Sequence, residues 1–246
     1  MRTVRLHHPG PLASGQEISI GEDDARYLTR VLRLPVGAPV VLFDGRGGEY
    51  EATIASAGRR DVILAVGSHR PVERESALAI TVAQGISRGE RMDHVVQKTT
   101  ELGVGAIVPL VCERGVVRLD ENRAAARLEH WQRVAAGACR QCGRNRLPRI
   151  APITAVEDWL AAPADGLRLV LTPDADRRLT DIEPAGADVD GPVLLLVGPE
   201  GGLTEQEEAA AHAAGFLPVR LGPRVLRTET AAVAGVTALQ TLWGDL

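Results

Sequence analysis

From residue 78 onward, apolar runs of strand length alternate with stretches of helical periodicity, and few folds accommodate that alternation. Leu78–Ala83, Ala106–Val111, Leu167–Thr172, Val193–Val197 and Leu217–Leu221 read as strands. Met92, Val95, Val96, Thr99 and Leu102 recur at helical spacing, and Gly103 stands where a helix C′ glycine is expected. Further helices are expected over Glu121–Gln141, Thr204–Ala214 and Thr230–Trp243, and a polar loop over Asp174–Gly191. A strand–helix series of this length predicts an α/β domain with a largely parallel sheet.

The first part of the chain has a different rhythm. Glu17–Ile20, Pro39–Phe43, Tyr50–Ser56 and Val62–Val66 are short β-type runs, with Gly47-Gly48 as a hairpin turn. One helix fits over Asp23–Leu32, capped by Asp23 or Asp24. Several short strands with one helix predict a small β-barrel. The polar, proline-containing segment His69–Ser76 marks the boundary, giving domains over residues 1–72 and 73–246.

Charge is distributed unevenly. The net charge of −4 argues weakly against a nucleic-acid partner. Between Cys112 and Arg149, however, stand nine arginines and four acids, net +5, whereas Ile150–Leu246 carries −9. A phosphate backbone feels the local segment, because screening limits the reach of distant charge; a solvated basic helix is the plainer alternative. No apolar run approaches the roughly 20 residues that span a bilayer. That absence, the lack of a signal-like N-terminus and three cysteines predict a cytoplasmic protein without a membrane partner.

In an α/β sheet, ligands sit beyond the carboxyl ends of the strands. Three strand ends here carry unusual loops: Leu171-Thr172-Pro173, Val197–Gly202 with three glycines, and Leu221–Thr230. Glycine admits positive φ and close approach of backbone to a ligand. Thr204 and Glu207 form a capping box for the next helix, so a tight, well-capped turn is the plainer reading of the middle loop. No phosphate-loop lysine follows, and Glu200 would repel an anion. Cys139 and Cys142 form a lone C-x-x-C that would need Cys112 and His130 to complete a zinc site, so no metal is expected. The small residues Ala231, Ala232, Ala234, Gly235 and Ala238 predict a closely packed last helix.

Leu196–Thr204 together with Leu221–Ala231 resembles the RsmE family, the bacterial 16S ribosomal RNA uridine-N3 methyltransferases of the SPOUT superfamily. Lys98–Val104, Glu113-Arg114, Trp131, Gln141–Arg144 and the early Arg30–Arg33 match the family's remaining motifs in order, over nearly the whole chain. The resemblance implies an N-terminal PUA-like β-barrel and a C-terminal SPOUT domain with a mostly parallel sheet and a trefoil knot. It also implies a homodimer that acts on a decoding-region uridine of 16S rRNA in the 30S subunit. S-adenosylmethionine would lie on Leu171, Thr172, Pro173, Val197, Gly198, Pro199, Glu200, Gly201, Gly202, Leu221, Gly222, Leu226, Thr228, Thr230 and Ala231. Arg2, Arg30, Arg33, Lys98, Arg114, Arg140 and Arg144 would contact RNA. N3 of uracil carries a proton that must leave, so arginines on the carbonyls and a carboxylate acceptor are expected. Arg114, Arg144 and Arg227 are candidates for the first role, Glu200 and Glu229 for the second; an acid set at the N-terminus of the following helix is the equal alternative for Glu229, and orientation alone is the alternative to a single dominant base. A ribose 2′-O-methyltransferase and a non-enzymatic RNA-binding assembly factor remain the alternatives.

Overall fold

The computed structural model describes residues 4–58, 61–115, 121–182 and 191–246. Two units emerge, one of residues 1–75 and 139–147, the other of 76–138 and 148–246.

The first unit holds β1 (Val4–His7), β2 (Glu17–Ile20), α1 (Glu22–Arg26), β3 (Pro39–Phe43), β4 (Glu49–Ala57) and β5 (Val62–Arg70). The four predicted strands are present, and β1 is an addition. The sheet order is β1-β3-β4-β5-β2, with β1 parallel to β3 and the other pairs antiparallel. Among the described residues β1 and β2 do not pair, so the expected barrel is a mixed half-barrel. Register shifts near Tyr50/Ala52 and Ile54/Ser56 supply its bends. Leu6, Val40, Leu42, Ile54 and Leu64 fill the concave core, which Leu28 closes from the helical side. That helix starts on Gly21 without a side-chain cap, rather than on Asp23 or Asp24, and its last turn, Tyr27–Val31, is a π-helix.

Arg5 ties this unit together from β1. Its guanidinium donates to Glu49 Oε2 at 2.5 Å and to Asn145 Oδ1 at 2.6 Å, and lies 4.9 Å from the Phe43 ring centre. Both charges of the Arg5–Glu49 pair are at most one-tenth exposed.

The second unit holds β6 (Ile80–Gly85), α2 (Glu90–Glu101), β7 (Ala106–Val111), the first five turns of α3 (Glu121–Cys142), β8 (Arg149–Ile150), β9 (Thr154–Ala155), α4 (Val156–Ala161), β10 (Leu167–Leu171), β11 (Val193–Val197), α5 (Glu205–Ala213), β12 (Leu217–Val219) and α6 (Thr228–Trp243). The sheet is wholly parallel in the order β12-β10-β11-β6-β7-β8, with β9 also on β7. β11 is buried at all five residues because both faces are covered. Val193, Leu195 and Val197 face a core shared with α2, α3 and α6, whereas Leu194 and Leu196 face α4 and α5. Gly103 sits at φ +87° just past α2, as the spacing predicts. Gly235 brings α6 onto the sheet: a Cβ there would stand 2.9 Å from Leu195 Cδ2.

Two boundaries differ from the sequence reading. β12 ends at Val219, two residues early, where Arg220 turns away to donate to the Ala175 and Asp176 carbonyls. α6 begins at Thr228, so Thr228 and Glu229 belong to its first turn rather than to the preceding loop. The short α4, β8 and β9 carry too few residues for periodicity to reveal. Of the expected loop over Asp174–Gly191, Leu179–Asp181 forms a 3₁₀ turn; residues 183–190 lie outside the described part.

Gly137 lies exposed in the middle of α3, with no atom within 4 Å of the position its Cβ would take. Gly137→Ala is expected to stabilise the chain by about 0.5–1 kcal/mol through backbone entropy, read as a higher urea midpoint at unchanged slope.

Candidate functional site

The carboxyl ends of three neighbouring strands lie level: Leu171 pairs with Val197 on one side and with Val219 on the other. The chain order reverses there, since β11 inserts between β10 and β6 and β12 then passes outside β10. Such a switch point opens a crevice at strand ends. Here it is a cleft of about 520 Å³, walled by Leu171–Pro173, Val197–Leu203 and the stretch from Val219 to Glu229, with Arg91 at one side. That volume falls within the range of small-molecule sites.

Local chemistry explains the shape of the glycine-rich wall. Thr204 Oγ1 accepts from the Glu207 amide at 3.2 Å, and Glu207 Oε2 accepts from the Thr204 amide at 2.7 Å, so the expected capping box forms. The other oxygen of Glu207 accepts from the Glu113 amide at 2.8 Å, which brings Arg114 against the loop. Gly85, at the end of β6, lets the loop approach: a Cβ there would lie 2.5 Å from Pro199 N. Thr228 joins the second wall to the first. Its hydroxyl donates to the Gly198 carbonyl at 2.6 Å and accepts from the buried Gln84 amide at 2.9 Å.

Every residue expected to hold the methyl donor lines this cleft except Thr230, which is exposed on α6. Arg227, Glu200 and Glu229 line it too. Arg114 does not; its guanidinium donates to the Leu203 carbonyl at 3.0 Å and backs the loop from behind. Arg144 belongs to the first unit, buried, with Nη2 2.6 Å from Glu75 Oε2. Arg140 is also there, paired with Asp24 at 2.8 Å and stacked 4.5 Å over Tyr27. Lys98 pairs with Glu101 at 3.0 Å on α2. Arg30 and Arg33 are exposed in the first unit, Arg33 at φ +53°, and Arg2 lies outside the described residues.

The sequence reading passed over Arg91, Arg220 and Glu208 as wall residues. Arg91 carries the most consequence. Its Nη1 donates to Glu200 Oε1 at 2.6 Å, and its Nε stands 3.9 Å from Glu229 Oε1. Glu200 Oε1 also accepts from the Arg88 amide at 2.9 Å. Burial pushes the Glu200 carboxyl up, but the Arg88 amide, its own amide and the Arg91 guanidinium together outweigh burial and hold it below the usual carboxylate range. The strand-end rule applied to β6 would have found this segment, since Ile86–Gly89 follows the strand and Arg91 stands in the first turn of α2.

The cysteines hold no metal constellation: among the described residues no group of three or more metal-ligating side chains occurs. Cys112 is buried and its thiol is pushed up to about 12, chiefly by that burial. Cys139 Sγ donates to the Arg146 carbonyl.

Comparison with known proteins settles the kinship. The RNA methyltransferase domain family matches residues 74–240, and the RNA methyltransferase PUA domain family matches residues 20–66. A ribosomal RNA small subunit methyltransferase E from Mycobacterium tuberculosis is 34% identical over 93% of this chain and 88% of that protein. The chain belongs to the ribosomal RNA small subunit methyltransferase E family. A Bacillus subtilis member is 30% identical, covering 90% of this chain and 88% of its own length. The crystal structure of the Neisseria gonorrhoeae member, bound to S-adenosyl methionine, matches all of both chains at 39% identity with a TM-score of 0.89. The PUA-like first unit and the α/β second unit are thus the family's own architecture.

Proposed function

We propose that this chain is an S-adenosylmethionine-dependent methyltransferase acting on N3 of a uridine in the decoding region of 16S rRNA, within the 30S subunit. The observation that carries the reading is the cleft at the level ends of β10, β11 and β12, in a chain of this family. Its residues fit the donor. Gly202 and Gly222 line the cleft with no atom within 4 Å of where a Cβ would stand, which leaves backbone there open to a ligand, and the wall carries three carboxylates, Glu200, Glu208 and Glu229, four arginines, Arg91, Arg220, Arg224 and Arg227, and no lysine. A wall of mixed charge without a phosphate-loop lysine fits a donor that carries both a sulfonium and a carboxylate. When bound, S-adenosylmethionine supplies an electrophilic methyl group.

The chain's own residues do the rest. Leu171–Pro173, Val197–Gly202 and Leu221–Leu226 orient the donor through backbone groups, and Thr228 holds the two loops together. Arg227 lines the cleft, which supports its role in holding a uracil carbonyl. Arg114 contributes through the loop it supports rather than by touching the base. The uridine must be turned out of its stack to enter. Residues 1–72 serve as the RNA-holding module, with Arg30 and Arg33 on phosphates, and residues 73–246 as the catalytic domain. A trefoil knot formed by the C-terminal loops, a homodimer and a cytoplasmic setting belong to the same reading.

The test is transfer of labelled methyl to 30S particles lacking the modification, compared with naked rRNA, followed by nucleoside mass analysis. 3-Methyluridine is the expected product; a 2′-O-methylated nucleoside would overturn the reading. Activity should fall steeply with salt if phosphate contacts dominate RNA binding.

A further inference from the structure

Two carboxylates on the cleft wall differ in how their oxygens are used. Glu200 Oε1 accepts two hydrogen bonds, from the Arg88 amide and from Arg91 Nη1. Those bonds hold the β6–α2 loop against the glycine-rich loop and tie Oε1 of Glu200 down. Glu229 is different. Its side chain is 16% exposed, its Oε1 lies 3.9 Å from Arg91 Nε, beyond hydrogen-bond distance, and its Oε2 is closed to solvent with no partner. A carboxylate oxygen left without a donor inside a protein costs free energy, so such a group calls for an explanation; a ligand in the cleft would meet this carboxylate from the side that remains exposed. Glu229 also stands on a fixed support: the residue before it, Thr228, is buried and bonded to both Gly198 and Gln84.

Resting on the methyltransferase reading, we propose that Glu229 is the group that accepts the N3 proton of the target uracil, while Arg91 keeps Glu200 out of that role. The step balances. The N3–H bond breaks and its proton passes to the Glu229 carboxylate. The electron pair left on N3 forms the bond to the methyl carbon, and the carbon–sulfur pair leaves with sulfur as a neutral thioether. Arg91, beside both carboxylates, is a positioning residue. Its Nη1 holds Oε1 of Glu200 at 2.6 Å, whereas its Nε stays 3.9 Å from Oε1 of Glu229, so only the first carboxylate is tied down.

The experiment compares the wild-type chain, Glu229→Gln and Glu200→Gln on 30S particles whose 16S rRNA carries either uridine or 5-fluorouridine. Fluorine at C5 makes N3–H more acidic and lessens the need for a base. Glu229→Gln should lower turnover on uridine by about 10²–10⁴-fold, the usual worth of a positioned general base. It should also raise the 5-fluorouridine-to-uridine rate ratio at least tenfold above the wild-type ratio. Glu200→Gln, whatever its effect on turnover, should keep the wild-type ratio. Calorimetry should show that Glu229→Gln binds S-adenosylmethionine within about threefold of wild type, which separates a lost base from a collapsed cleft. An unchanged ratio in Glu229→Gln, or a raised ratio in Glu200→Gln, would overturn the assignment. If the wild-type chain itself yields no 3-methyluridine, the functional reading fails instead, and the two failures are thereby distinguished.

Discussion

Replacing Gly85 with valine should weaken S-adenosylmethionine binding by about 10- to 10²-fold while leaving the first unit's unfolding transition unmoved. A Cβ on Gly85 would stand 2.5 Å from Pro199 N, 2.6 Å from Pro199 Cδ and 3.0 Å from the Gly198 carbonyl carbon. Two of those atoms are backbone, so no side-chain rotation relieves the clash and the glycine-rich wall must move. Overpacking of this kind costs about 1–3 kcal/mol. Spent on the loop that forms the binding wall, that energy appears as affinity, at about 1.4 kcal/mol per factor of ten. The dissociation constant by calorimetry reads the effect. An affinity equal to that of the wild-type chain would show that the β6 end does not set the loop's position.

Arg5→Met should destabilise the first unit by about 3–5 kcal/mol, the loss typical of breaking a buried ion pair on one side only. It would leave Glu49 buried and Asn145 Oδ1 without the Arg5 donor, with Arg70 Nη1 3.9 Å from Glu49 Oε1 as the remaining cation among the described residues. The double change Arg5→Met with Glu49→Leu should recover much of that loss, since no charge then stays buried unpaired. Urea denaturation followed by tryptophan-independent circular dichroism measures both, because all three tryptophans, Trp131, Trp159 and Trp243, belong to the second unit. A single change as damaging as the double one would mean that lost packing around Phe43, rather than the orphaned carboxylate, carries the cost.

Much of the second unit was legible in the chain because its signals are local. Five apolar runs became strands, Gly103 and the Thr204/Glu207 box ended and began helices where expected, and the glycines of Val197–Gly202 and Leu221–Gly222 fell at strand ends. Fourteen of the fifteen residues read as donor-binding line one cleft, since a strand end and the loop after it stay together however the rest of the chain folds. Thr230 departs because α6 begins two residues early and turns that side chain outward. The first unit was less legible: β1 is four residues long, and its parallel pairing with β3 leaves no turn signal in the sequence.

The arginines show where local signals end. Arg114 and Arg144 carry the residue type that uracil deprotonation calls for, and type alone cannot say where a guanidinium points. The fold sets Arg114 on the Leu203 carbonyl, 89 residues away in sequence, and Arg144 on Glu75, 69 residues away. It brings Arg91 to Glu200 across 109 residues. Period, glycine position and capping chemistry therefore determined by themselves that the chain builds a parallel α/β unit with a small-ligand cleft at its strand ends. Only the tertiary structure decided which charged groups meet there, because an ion pair depends on contacts that the sheet order creates and sequence spacing does not record.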